Sequence, residues 1–117
     1  MNFLWQHSKY IFLAALLLLC SLNSRASTDD AKAIALAKQN ACLGCHAIDK
    51  KIVGPSFQAI AKKYTNDPSA QVFLKNKILK GGSGSWGVVP MPANAKLSDA
   101  DVSILTSWIL RGAPSAN

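Results

Sequence analysis

The chain has 117 residues, half of them hydrophobic, with 3 Cys, 2 His, 2 Met and a formal net charge of +7. That length bounds it to one small domain. The basic balance invites nucleic acid as a partner, but no nucleic-acid motif is present, and no apolar run reaches the ~18–20 residues of a membrane span.

The first ten residues carry Lys9 and lead into an apolar run, Ile11 to Cys20, followed by a polar stretch that closes with Ser24-Arg25-Ala26. This order is that of a secretory signal, so residues 1–26 are expected to be a cleaved leader and 27–117 the folded domain, exported from the cytoplasm. A lipid anchor on Cys20 is disfavoured by the bulky Leu19 before it, and retention as an anchor is the other alternative. Without the leader the chain has one histidine, His46, one methionine, Met91, and two cysteines, Cys42 and Cys45. Its 11 basic residues then face 6 acidic ones, a net of +5. A modestly basic surface fits an acidic docking partner, an anionic membrane surface or ordinary solvation equally well.

Ser27-Thr28-Asp29-Asp30 offers a cap and first-turn acids, and Ile34, Ala37 and Ala41 recur at helical spacing with Lys32 and Lys38 free to face water. This first helix delivers the chain into Cys42-Leu43-Gly44-Cys45-His46. A loop over 47–52 ends at Gly54-Pro55. Ser56 caps a second helix with Phe57, Ile60, Ala61 and Tyr64 as its stripe. Asp67 and Pro68 are expected to open a third, with Val72, Phe73, Leu74, Ile78 and Leu79 on its apolar side and Gly81-Gly82 at its end. From Gly81 to Leu97 breakers dominate and helical period is lost, and a loop of that length in a small domain is usually functional. Ser98-Asp99-Ala100-Asp101 is an acidic capping box for a last helix through Val102, Leu105, Trp108 and Ile109, ending at Gly112 and Pro114. No strand-like alternation occurs, so the fold class is all-α.

The C-x-x-C-H pattern of Cys42, Cys45 and His46 reads as a site of covalent haem attachment. On one helical turn the three side chains share a face, so that two thiols can add to the two vinyl groups of a porphyrin while the imidazole reaches the iron. A thioredoxin-like redox pair would want a βαβ context, and a zinc site two further ligands. Met91 stands between Pro90 and Pro92 on a stiff backbone. A methionine alone is more often a core gap-filler, but here it is the single one of the domain, on a glycine-rich loop downstream of a haem motif, which favours iron ligation. Histidine/methionine ligation saturates the iron and favours electron transfer. A haem enzyme or gas sensor would need an open or displaceable sixth position, and a structural C-x-x-C module would carry no haem.

The segments Cys42 to Asp49, Val53-Gly54-Pro55 and Trp86 to Asn94 resemble, in motif and spacing, the haem-contact segments of small bacterial class I cytochromes c, the cytochrome c-551 type. The resemblance implies four to five helices around one covalent haem c, with the first and last crossing. It also implies a periplasmic single-electron carrier, not an enzyme, that docks transiently as a monomer with redox partners such as nitrite reductases or terminal oxidases. By position it implies that Pro55 accepts the ring N–H of His46, that Asn94 hydrogen-bonds near the Met91 sulfur, and that the Trp86 indole donates to a haem propionate. Lys77 stands where the family often has an arginine paired to a propionate; lysine keeps the charge without the planar fork. Two ionised propionates would lower the net charge to about +3. Lys38, Lys50, Lys51 and Lys80 are candidates for aiding encounter with partners.

Overall fold

The computed structural model describes residues 28–116, so the expected leader lies outside the described residues. Within them the chain forms α1 (28–39), a 3-10 turn (Cys42–Gly44), α2 (Phe57–Lys63), α3 (Ala70–Lys80) and α4 (Asp99–Leu110). Among the described residues there is no strand, and β-type pairing is limited to two isolated antiparallel bridges, His46 with Lys51 and Gly82 with Met91.

The last helix is the centre of the fold, with α2 and α3 both packed on it. Val102, Leu105, Trp108 and Ile109 of α4 are buried at i, i+3, i+6 and i+7, and they meet Ala33, Leu36 and Ala37 of α1, Phe57 and Ile60 of α2, and Leu74 and Ile78 of α3. Burying side chains of this size contributes roughly 1.5–3 kcal/mol each, which is how a short chain assembles a core at all. Both ends of α4 are closed locally. Ser98 Oγ accepts from the Asp101 N–H at 3.1 Å, the first bond of a capping box, and also donates its hydroxyl to the Asp101 carboxylate at 2.8 Å. At the other end Gly112, at φ 86°, lets its own N–H reach the Ile109 carbonyl and the Ala113 N–H reach that of Trp108. That pair of bonds is the Schellman arrangement.

The first helix crosses the last. Asp30 is buried and paired with Arg111, whereas Lys32, two residues on, reaches Asp101 at 2.9 Å. Asp101 and Arg111 are ten residues, or about 15 Å, apart along α4, so the start of α1 straddles it at an angle. The buried stripe of α1 is Ala33, Leu36 and Ala37. Ile34 is only half-buried, and Ala41, expected on the stripe, is exposed beyond the helix with φ 57°. Asn40 makes a last i→i−4 bond to the Leu36 carbonyl, which its side-chain amide joins, and the helix ends where Ala41 turns left-handed at φ 57°.

Ser56 caps α2 as expected, accepting from the Ala59 N–H at 3.0 Å. The third helix begins later than Asp67-Pro68. Asp67 Oδ1 accepts from the Ser69 N–H and hydroxyl at 2.8 and 2.7 Å, and the Ala70 N–H returns to the Asp67 carbonyl. These bonds close a tight turn ahead of the helix. Of the expected apolar side of α3, Leu74 and Ile78 are buried but Val72 and Phe73 are exposed. Phe73 turns instead to the Tyr64 ring, 5.3 Å between centroids.

Candidate haem site

The helix of the C-x-x-C-H motif is tighter than an α-turn. From Ala41 the chain winds a 3-10 turn, with Gly44 N–H to Ala41 O and Cys45 N–H to Cys42 O, and relaxes at its end to an α-type bond from His46 N–H to Cys42 O at 2.9 Å. The predicted sharing of a face survives that change: Cys42 and Cys45 are half-buried and His46 is buried, while Leu43 and Gly44 face out. The two cysteines are not joined to each other by a disulfide. Burial pushes the Cys42 thiol up, a nearby Cys45 thiolate would push it further, and only a hydrogen bond involving its own backbone opposes this.

The loop after the motif is shaped to hold the imidazole. Nδ1 of His46 lies 2.7 Å from the Pro55 carbonyl oxygen. A carbonyl can only accept, so Nδ1 carries the proton and Nε2 keeps its lone pair available to a metal. Gly54 donates its N–H to the Cys45 carbonyl at 2.8 Å and passes directly beside the ring. A Cβ at Gly54 would stand 2.5 Å from Cε1 and 2.9 Å from Nδ1 of His46. Phe57 stacks on the imidazole at 5.4 Å and 18°, and is itself held edge-on by Trp108 at 5.2 Å. Trp108, almost fully buried, donates its indole N–H to the Pro114 carbonyl at 2.9 Å. The imidazole is thus keyed to the core of the fold. A groove of about 560 Å³ runs along the same side, lined by Ile34, Leu43, His46, Ala47, Ile48 and Trp108 among others, and includes no residue of the 81–97 loop.

Met91 approaches the core from that other loop and packs against it half-buried. Its backbone is fixed by two bonds with Gly82, at 2.9 and 3.0 Å, and Asn94 N–H is tied to the Ile78 carbonyl at the end of α3. Gly81 makes this possible. It sits at φ 68°, and a Cβ there would lie 2.3 Å from the Met91 carbonyl oxygen and 2.8 Å from the Ala93 nitrogen. Lys77 Nζ lies over the Phe73 ring at 6.0 Å, close to Gly82. Trp86 is partly exposed, under the ammonium of Lys63. The structure therefore joins Pro55 to His46, sets Met91 and Asn94 on the 81–97 loop, and places Trp86 against Lys63 and Lys77 beside Phe73 and Gly82. Gly54, Gly81, Phe57 and Lys63 are additions. The Gly-Pro dipeptide and the Gly-Gly pair signalled turns, but nothing in the sequence marked them as surfaces for an imidazole or a backbone carbonyl.

Two unbridged cysteines, a tautomer-fixed imidazole and a restrained thioether around one small all-α core fit a covalently attached haem; they define the class as a c-type haem protein. The cytochrome c family model matches residues 31–113. The chain is 48% identical over 75 residues to cytochrome c-552 of Nitrosomonas europaea, covering 64% of this chain and 73% of that one. It is 44% identical to cytochrome c-551 of Allochromatium vinosum, covering 66% and 82%. The crystal structure of Nitrosomonas europaea cytochrome c552 superposes with a TM-score of 0.64 at 46% identity, over 68% of this chain and 98% of that one. That of the class 1 cytochrome MtoD from Sideroxydans lithotrophicus gives 0.62 at 29% identity, over 71% and 95%.

The chain belongs to the cytochrome c family. It carries haem c bound through Cys42 and Cys45 of the C-x-x-C-H motif, and it is a single-haem electron carrier of the small cytochrome c-551/c-552 kind.

Proposed function

We propose that this cytochrome works in the periplasm, where His46 Nε2 and Met91 Sδ would hold the haem iron, and passes single electrons between respiratory partners such as nitrite reductases or terminal oxidases. The observation that carries the reading is the 2.7 Å contact between His46 Nδ1 and the Pro55 carbonyl, because it protonates one ring nitrogen and leaves the other for iron. When bound, the haem supplies a reversible one-electron couple. Everything else falls to the chain. Pro55 fixes the tautomer, Gly54 and Phe57 fix the ring plane, and Gly81 and Gly82 fix the backbone from which Met91 reaches inward. Asn94 would orient the thioether by a hydrogen bond, the Trp86 indole N–H would donate to a propionate, and the Lys77 ammonium would offset propionate charge. Held by both His46 and Met91, the iron would have no position left for a substrate, which suits transfer rather than catalysis.

Export rests on the leader at 1–26. No helix among the described residues is long and apolar enough to cross a membrane. The carrier docks as a monomer, briefly and over a small area. Lys38, Lys50, Lys51 and Lys80 are all exposed, as are Val88 and Val89, so charge steers the encounter and an apolar patch completes it. Absorption spectra of protein purified from the periplasm, oxidised and reduced, test the reading. A low-spin spectrum with a methionine–iron band is expected, and mass spectrometry should show a chain starting at Ser27 and one haem heavier. A high-spin spectrum would instead indicate an open position, and an intact leader would overturn cleavage after Ala26 in favour of a retained anchor.

A further inference from the structure

The 81–97 loop is tied to the rest of the fold by a residue that none of the haem roles includes. Lys63, in the last turn of α2, places its ammonium 4.4 Å from the Trp86 ring centroid and donates to the Ser85 carbonyl at 2.6 Å. Gly82, Gly84 and Gly87 all have positive φ, between 101° and 113°. A backbone that glycine-rich loses much conformational freedom on ordering and needs an outside restraint to hold one geometry. Within this segment, Gly84 N–H bonds only locally, to the Gly87 carbonyl at 2.8 Å. Trp86 is 43% exposed, so burial alone does not orient its ring.

We propose that Lys63 is a positioning residue, its ammonium clamping the Trp86 ring and the Ser85 carbonyl so that the indole is presented in one orientation. This rests on the reading that Trp86 donates to a propionate. A cation over an aromatic face and a charge-assisted bond to a carbonyl act together here, and both end on neighbouring residues of one turn. Lysine suits the task because its four-carbon stem reaches from α2 while the charge stays at the surface. The neighbouring Lys62 is also exposed but has no such contact with the loop.

The test uses haem-loaded, full-length mature protein in four variants: Lys63→Met, Lys63→Arg, Lys62→Met and Trp86→Phe. Amide hydrogen exchange at Gly84 reads the clamp directly, and the NMR signal of the Trp86 indole N–H reads the orientation. Removing a cation–aromatic contact and a charged hydrogen bond should speed Gly84 exchange by roughly tenfold in Lys63→Met and shift the indole signal. Lys63→Arg should restore both, and Lys62→Met should leave both unchanged. The pH dependence of the reduction potential in Lys63→Met should also move towards that of Trp86→Phe. If Trp86→Phe leaves that profile as in the parent, the propionate role fails while the exchange data still judge the clamp. Parent-like exchange and indole signal in Lys63→Met would overturn the proposal, as would a failure of arginine to rescue.

Discussion

Gly54 lies so close beneath the imidazole of His46 that a Cβ on it would be 2.5 Å from Cε1, well inside any contact real side chains make. The ring occupies the volume that every other residue type would fill. On its remaining sides it is held by the Pro55 carbonyl and the Phe57 face, so it cannot retreat without giving up one of them.

Gly54→Ala should therefore cost stability by overpacking, about 1–3 kcal/mol, and weaken the Nδ1 bond to Pro55. Thermal unfolding of the haem-loaded protein should show the lower midpoint. The absorption spectrum should show a fraction of altered ligation. Gly44→Ala is the matched control, since a Cβ at Gly44 would meet no protein atom within 4 Å.

Gly81→Ala should act on the other side of the iron. Its φ of 68° and the 2.3 Å approach to the Met91 carbonyl leave no room for a methyl group, so the Gly82–Met91 bridge should open. The expected outcome is loss or weakening of the methionine–iron band at neutral pH with the covalent haem retained. An undiminished band would show that the loop accommodates the methyl without moving Met91.

Most of the fold could be read from the sequence because its signals are local. Ser56 and Ser98 cap the helices they were expected to cap, and Phe57, Ile60, Leu74, Ile78, Val102, Leu105 and Ile109 are buried at the spacing that predicted them. The misplacements arise where two local options competed. Ala41 could continue α1 or turn left-handed, and Asp67 could start a helix or close a turn on Ser69; the φ of 57° at Ala41 and the bonds from Ser69 to Asp67 record which prevailed. At the site, cysteine and histidine types in fixed spacing carried chemistry that sequence can express. The supports of those residues come from distant positions, as when Trp108 braces Phe57 against His46 or Lys63 reaches Trp86, and such pairs have no periodic signature.

Acid should loosen the crossing of α1 and α4. The hydrogen bond from Lys32, then that from Ser98, then the Lys32 charge hold the Asp101 carboxyl below its ordinary value of 3.8. A carboxylate depressed in the folded state stabilises at pH values above 3.8, and that contribution is lost as pH falls from there through the lower folded pKa. Asp67, lowered by its two bonds from Ser69, behaves in the same sense. Unfolding midpoints measured from pH 7 down to about 2 should fall more steeply in the parent than in Asp101→Asn over this acid limb. Parallel curves would assign the acid sensitivity elsewhere.

The most direct measurement is a spectroelectrochemical titration of the haem-loaded protein beside Met91→His. The account predicts a single one-electron wave for the parent, with the methionine–iron band present only in the oxidised form. It predicts a low-spin variant whose potential is substantially lower, within the ~0.8 V that axial ligands span. A parent lacking that band, or a variant with the parent's potential, would contradict ligation by Met91 and with it the saturated, electron-transferring site proposed for this chain.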